Sequence, residues 1–410
     1  MINRRTFASI VPVALGLGLV PARAWAAAEK PIRVGVLNSM TGSLAAYGRE
    51  GQPAFEHLIN SINSAGGIKS KGGAPIELVF ADDESQPSKA ASEARRLIQQ
   101  EKVSVLVGSL QSVQMIALSP VLKELKTPAL SVWGGGAESD RIFSLGYPYD
   151  RGTAQNIHDL LVFLRDEAKY PLKTAVMAYS DYEGGQQVNK YLPHRLSQSG
   201  FQIVGELPLD PKASDHAAAM ERIRSLKPDV VAGLITPRNG ILLQRARHEA
   251  GYNDSVFCSG LGYSDQSMWS ELGSDVAKSV LTSNVFGMTA FSPGAKIPTM
   301  QAVAEELRIR GKIERVGQGA IQFAQAARVL QRVLEMSPSL EPIQLVDAFR
   351  KVDIPFGAPD LYLAKPKGLQ FADDGLLSDG SAMFVQWTAD RSQQVVFPKT
   401  AAEIVPAKRN

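Results

Sequence analysis

The sequence holds one cysteine, Cys258, in 410 residues, so no disulfide can form within the chain and a hydrophobic core must hold it together. A lone thiol of this kind reads as a small buried hydrophobe. Histidine is scarce as well. His57, His158, His194, His216 and His248 fall in or beside helical patterns with no close Cys, His, Asp or Glu cluster, and read as solvated helix residues. HExxH, CxxC, GxSxG and GxxxxGK(S/T) are all missing, and the glycine turns "GSLQSV" and "WGGGAES" fall short of GxGxxG. These absences weigh against metal-dependent, nucleophilic and nucleotide-dependent chemistry, and no cofactor is expected. The formal charge is +3, all of it from Arg4, Arg5 and Arg23 at the start of the chain. The rest is neutral and lacks the basic excess that tracks phosphates, which excludes nucleic acid as a partner.

What is present begins with "MINRRTFASIVPVALGLGLVPARAWAAAEK": a basic start, an apolar run from Ile10 to Val20, and the small-x-small stretch Ala24-Trp25-Ala26. That pattern is an export signal at residues 1–26, cut near Ala26, and its run is well short of the roughly 20 residues that cross a bilayer. "NRRTFAS" is similar to a twin-arginine signal without the usual following lysine, so Sec and Tat export both stay open. No cysteine follows the run to carry a lipid anchor, and the mature chain is expected in the periplasm.

At 44% hydrophobic and 21% charged, 410 residues suit two globular domains. Apolar runs at Ile32 to Leu37, Ile76 to Ala81, Ser104 to Val107 and Ala129 to Val132 alternate with helical patterns at 48–65, 88–101 and 113–125. A second series follows "GYPYDRGTAQN", with strands at Thr174 to Tyr179, Gln202 to Glu206, Asp229 to Ile235 and Ser255 to Cys258 and helices at 184–199, 215–226 and 239–250. Alternation of this kind predicts α/β units with parallel sheets covered on both faces. Beyond Val280 come longer helices at 297–311, 318–336 and 341–351, then "KGLQFADDGLLSDGSAMFVQW", which reads as a hairpin tail. No short repeat or low-complexity segment appears.

Six turns share one place, after a strand and before a helix: Ser39 to Tyr47, Gly108 to Gln114, Trp133 to Glu138, Tyr179 to Gly185, Thr236 to Gly240 and Ser259 to Ser264. Ligands of open α/β sheets bind there, where helix N-termini offer unpaired N–H groups to an anion. Ser112 and Thr41 add hydroxyl donors, and Gly134, Gly135 and Gly136 permit close backbone approach. Tyr47, Trp133, Tyr179, Tyr182 and Tyr263 gather at these turns and predict an apolar pocket between domains. The pair Asp82-Asp83 reads as acids complementing a helix N-terminus.

In order and spacing, "IRVGVLNSMTGSLAAYGREG", "INSAGGI", "FADDESQPSKAASEARRLIQQEKVSVLVGS", "PALSVWGGGAE", "SDYEGGQ" and "LLQRARHEAG" resemble the type I periplasmic solute-binding proteins of ABC importers, in the leucine/isoleucine/valine-binding branch. The resemblance implies an α/β fold of two doubly wound Rossmann-like lobes with parallel central sheets, joined by a three-segment hinge. Lobe one would take 29–151 and 284–355, lobe two 152–283 and 356–398, with 399–410 as a tail. It also implies that Ser112 and the Gly134-Gly135 turn hold a ligand carboxylate, that Tyr47 and Tyr182 contact the ligand, and that the second lobe adds contacts near Thr236. Gln111, Trp133, Leu261 and Tyr263, at the same turns, complete the candidate set. No catalytic or metal-binding residue is implied. The implied partners are a small carboxylate ligand and an ABC permease in the inner membrane, with the protein a monomer.

One position departs from that pattern. Amino-acid binders place a glutamate after the strand here spanning Ser255 to Cys258 to receive the ligand ammonium, whereas Leu261 or Gly262 stands there in this sequence. An unpaired ammonium in a closed cleft costs several kcal/mol. Either Asp265 reaches in or the ligand lacks an amine, so an aromatic or apolar organic acid is expected ahead of a branched-chain amino acid. A ligand-sensing receptor module of the same fold and an enzyme on the same architecture are the competing readings.

Overall fold

The computed structural model describes residues 30–134, 139–264 and 267–406. The leader, Gly135, Gly136 and Asp265 lie outside the described residues. The first half of the chain runs β1 (Ile32–Asn38), α1 (Ala45–Ser64), β2 (Ile76–Asp82), α2 (Pro87–Gln99), β3 (Val105–Gly108), α3 (Ser112–Glu124), β4 (Ala129–Ser131) and β5 (Ile142–Ser144). These strands form a fully parallel sheet in the order β2-β1-β3-β4-β5. Successive side chains on a strand face opposite ways, so Val34, Val36, Val105 and Val107 enter one core while Leu37 and Leu106 enter another.

A π-helical turn at Tyr149–Ala154 leads into the second series: α4 (Gln155–Asp166), β6 (Thr174–Ser180), α5 (Glu183–Gln198), β7 (Gln202–Leu209), α6 (Ala217–Leu226), β8 (Val230–Gly233), α7 (Pro237–Glu249), β9 (Val256–Ser259), α8 (Ser267–Leu272), α9 (Ser274–Leu281) and β10 (Val285–Thr289). The remainder is α10 (Pro298–Ile309), α11 (Gln318–Met336), α12 (Pro342–Arg350), β11 (Asp353–Ile354), β12 (Leu369–Gln370), β13 (Met383–Trp387) and β14 (Gln393–Phe397). The second sheet has the order β14-β13-β10-β9-β8-β6-β7. Ala175 and Met177 face one core and Val176 and Ala178 the other. Both sheets are therefore doubly wound. Cys258 is fully buried in the second lobe, where burial pushes its thiol pKa well up and removes its reactivity.

The late helices return to the first sheet. Phe323, Val329 and Leu330 of α11 and Phe349 of α12 pack with Phe55 and Leu58 of α1 and with the valines of β1 and β3. The Phe55 and Phe323 rings meet edge to face at 6.1 Å. The crossings, however, fall elsewhere than expected. β10 pairs with β9 and β13, so the second crossing comes after Thr289 and not before residue 284. Leu361, Leu363, Leu369 and Leu377 pack in the first core and β13 pairs in the second sheet, which puts the third crossing between Leu377 and Met383.

The expected hairpin tail is two separate pieces. β12 pairs with β11, and β13 pairs antiparallel with both β10 and β14, extending the second sheet beyond its parallel strands. Two further corrections are local. His216 is buried, His57 lies 3.2 Å from the Glu306 carboxylate, and His158 lies 2.7 Å from the Ser199 hydroxyl, so these are packed residues. Asp82 and Asp83 do not cap α2, which has Gln86 at its N-cap. Asp82 instead accepts the N–H of Met40 at 2.9 Å and the Thr41 hydroxyl at 2.7 Å, tying the turn after β1 to the end of β2. Burial alone would raise the Asp82 pKa, but bonds from Glu84, Thr41 and Met40 outweigh it and hold the carboxyl below its ordinary value.

Candidate functional site

In a sheet ordered second, first, third, the crevice opens past the carboxyl ends of the first and third strands, where successive helices leave on opposite faces. In the first lobe those ends are Asn38 of β1 and Gly108 of β3. The turn after β1 is held rigid by its own polar groups. Asn38 Nδ2 donates to Gly48 O at 3.0 Å, Ser85 Oγ donates to Thr41 O at 2.9 Å, and Leu44 N donates to Ser85 Oγ at 3.1 Å. Tyr47 follows on the first turn of α1 and meets Trp133 edge to face, with ring centroids 4.8 Å apart. The expected use of Thr41 as a ligand donor is not met, because Asp82 takes its hydroxyl.

Gln111 is the N-cap of α3, and its side chain forms a reciprocal capping box with Gln114. Ser112, the first residue of α3, points its hydroxyl at the Tyr149 hydroxyl, 2.8 Å away. Gly134 N donates to Ser131 Oγ at 2.8 Å, and a Cβ on Gly134 would lie 2.7 Å from the Met115 side chain, which would have to shift to admit it. Gly135 lies outside the described residues.

The second lobe contributes the N-terminal ends of α5 and α7. Tyr182 is the N-cap of α5 and Thr236 the N-cap of α7. Thr236 N donates to Ser180 Oγ at 2.9 Å, and the two hydroxyls lie 3.1 Å apart. Leu261 is partly buried against the second core. Tyr263 is a correction: its side chain is fully buried among Ile235, Phe257 and Met268, and its carbonyl accepts Trp387 Nε1 at 2.7 Å, which takes it out of the crevice. Tyr179 stands beside the Glu206 and Asp181 charges, which together with burial raise its pKa.

Two further residues at the crevice lie outside the candidate set. Tyr149, in the first crossing, donates its hydroxyl to Glu183 Oε2 at 3.0 Å while the same oxygen faces Ser112. One phenol thus joins the N-terminus of α3 to the N-terminus of α5. Burial raises the pKa of Tyr149 and of Tyr182 well above the phenol range, so both remain protonated donors at neutral pH. The Glu183 carboxyl is also raised, by burial first, against the lowering effect of the Tyr149 bond. The signal for Glu183 in the sequence is an acid directly after Tyr182 at the start of a helix, while the aperiodic stretch around Tyr149 offers none. Among the described residues no cluster of His, Cys, Asp and Glu could hold a metal ion, and no helix is long and apolar enough to cross a membrane.

The sequence profile of the family described as "Periplasmic binding protein" matches residues 31–391. Leu/Ile/Val-binding protein homolog 8 of Brucella suis is 26% identical over 405 residues, covering 96% of each chain. Two solved structures share the fold at lower identity. The branched-chain amino acid transporter substrate binding protein of Streptococcus pneumoniae, in complex with isoleucine, has a TM-score of 0.71 at 19% identity, covering 90% of this chain and 100% of that one. The ABC transporter solute binding protein of R. palustris in complex with 4-hydroxybenzoate has a TM-score of 0.71 at 16% identity, covering 93% of this chain and 98% of that one.

Proposed function

Because the chain belongs to the periplasmic binding protein family, a family of binding proteins and not of enzymes, we propose that it captures a small carboxylate ligand between its lobes and delivers it to an ABC permease in the inner membrane. The observation that carries this reading is the Ser112 hydroxyl on the first turn of α3, held at a crevice onto which the N-termini of α1, α3, α5 and α7 open. Backbone N–H groups and a hydroxyl at a helix N-terminus suit a carboxylate without a cationic side chain. Tyr47, Trp133, Tyr182 and Leu261 supply apolar surface for its body, and Thr236 a further donor. The ligands of the two solved relatives, isoleucine and 4-hydroxybenzoate, are both small acids with an apolar or aromatic body.

Ligand bound to both lobes favours the closed arrangement by the difference in its affinity for the two forms, and the closed monomer is what a permease would select. The location this implies is the periplasm. The test is a thermal-shift screen of the purified protein against the twenty amino acids and a panel of aromatic, aliphatic and dicarboxylic acids. A ligand of the folded state raises the melting temperature with concentration. Stabilisation by one or a few related acids is expected, and an unmoved melting temperature across the panel would sink the reading.

A further inference from the structure

We infer that the second lobe holds a small monovalent anion, of the size of chloride, in an internal site formed by Arg247, Gln244 and Tyr263, apart from the crevice and its ligand. Arg247 lies on the last turn of α7 and has no exposed surface. Its Nη2 donates to the carbonyl and hydroxyl oxygens of Ser279 on α9, at 3.1 and 3.2 Å, and its guanidinium stands over the Phe257 ring at 5.3 Å. Nε and Nη1 are buried without an acceptor, and no carboxylate among the described residues pairs with the charge. One turn earlier on the same helix, the Gln244 carboxamide is fully buried beside the Tyr263 hydroxyl, and neither closes a hydrogen bond of ordinary geometry.

These groups want the same kind of partner. Arg247 offers hydrogens and no lone pair, Tyr263 offers a hydroxyl hydrogen, and Gln244 has two amide hydrogens against one carbonyl oxygen, so donors are in excess. Water does not correct the excess, because each molecule brings as many hydrogens as lone pairs. The charge points the same way. Burial lowers the Arg247 pKa from 12.5 to about 10, which still leaves the guanidinium protonated at neutral pH. Burial raises the pKa of Tyr263 and of the nearby Cys258 thiol, so both stay neutral and neither supplies a negative charge. A buried cation with no counter-charge is costly, and buried polar atoms left unpaired in a native core call for a bound ion or water. An anion of one atom accepts from several donors at once and adds none. Ile235, Met268 and Val280 seal the same core from solvent, which suits so compact an ion over an organic acid.

Bromide, which scatters anomalously, is the direct probe: crystals of the purified protein soaked in sodium bromide are expected to show an anomalous peak at the Arg247 guanidinium. In solution, the melting temperature is expected to rise by roughly 2 to 4 °C as sodium chloride replaces sodium gluconate at constant ionic strength, once chloride exceeds its dissociation constant about tenfold. Arg247→Met keeps the length of the side chain without its charge, and is expected to flatten that response and remove the bromide peak. Water in place of bromide at Arg247 would overturn the proposal, as would equal melting in chloride and gluconate or a chloride response that survives in Arg247→Met. Should Arg247→Met fail to fold, the bromide peak in the wild-type protein decides the question by itself.

Discussion

Ser39 in the first lobe and Ser180 in the second stand at the same place, at the end of the first strand of a doubly wound sheet, and each has a glycine of the next helix against its carbonyl. A Cβ on Gly48 would lie 2.0 Å from Ser39 O, and one on Gly185 2.0 Å from Ser180 O. The match extends along the crevice. Ser131 Oγ accepts Gly134 N and faces Ser109 O, while Ser259 Oγ accepts Gly262 N and faces Ile235 O. By that register Leu261 is the counterpart of Trp133. The centres differ. The first lobe gathers the Ser39 and Ser109 hydroxyls and Ser85 N onto the buried Asp83 carboxylate. In the second lobe Ser180 Oγ is met by Asn239 Nδ2 at 2.9 Å and by Thr236 N, with no charge involved. One backbone solution is thus closed by a charge in one lobe and by neutral groups in the other.

The glycines at the ends of the third strands should bear the largest effects. A Cβ on Gly108 would lie 1.8 Å from Leu37 O, at φ +107°, and one on Gly233 2.1 Å from Ala178 O. Gly233 is also at positive φ, +159°, and Gly108→Ala and Gly233→Ala are each expected to cost about 3 kcal/mol or more in denaturant unfolding. A mild effect in only one lobe would break the equivalence. Next, Asp83→Asn is expected to cost about 2–3 kcal/mol, since two buried hydroxyls lose a charged acceptor, against about 1 kcal/mol for Ser180→Ala. Equal costs would mean that the charge contributes nothing special.

A third contrast sets both lobes against the crossings that join them. Lys365 is fully buried there, its ammonium 4.6 Å from the Tyr147 ring centroid and donating to Ser381 O at 2.7 Å. Burial lowers its pKa from 10.5 to about 7, against the opposing pull of the Asp379 charge. Between those values the unfolded chain holds more protons than the folded one, so stability should rise with pH from 7 toward 10.5, by at most about 1.4 kcal/mol per unit. Lys365→Met should remove that slope in unfolding curves taken across the range. The smallest effect concerns the two counterparts at the crevice. Trp133→Leu, which gives the first lobe the second lobe's residue, should cost about 0.5–1.5 kcal/mol through the lost Tyr47 ring contact. Thermal melts of Trp133→Leu, Tyr47→Leu and the double variant measure that coupling.

Strands buried on both faces leave continuous apolar runs, which is why β1, β3, β6 and β8 are readable from the sequence. So are the turns that follow them, since glycine, serine and aromatics cluster where a helix must leave a strand end closely. α4, β5 and β10 are absent from the sequence reading. "QNIHDLLVFLRD" carries the apolar spacing of a helix, with Ile157, Leu160, Leu161 and Leu164 buried, but β5 is only three residues long and the apolar run of β10 is interrupted by Gly287. Tyr263 and Glu183 show the limit for a site. Both sit at strand-end turns with the right chemistry, and only the packing of α7 and α8 around one and the crossing that brings Tyr149 to the other separates core from crevice.

The return of α10, α11 and α12 to the first sheet has a consequence for how the protein is made. As the chain emerges from the ribosome, β1, β3 and β4 are finished long before Phe323, Leu330 and Phe349 exist to cover one of their faces. The whole of the second lobe's parallel sheet, through β10, is synthesised in that interval. The first lobe is begun first, yet one apolar face of its sheet stays open for well over a hundred residues of synthesis.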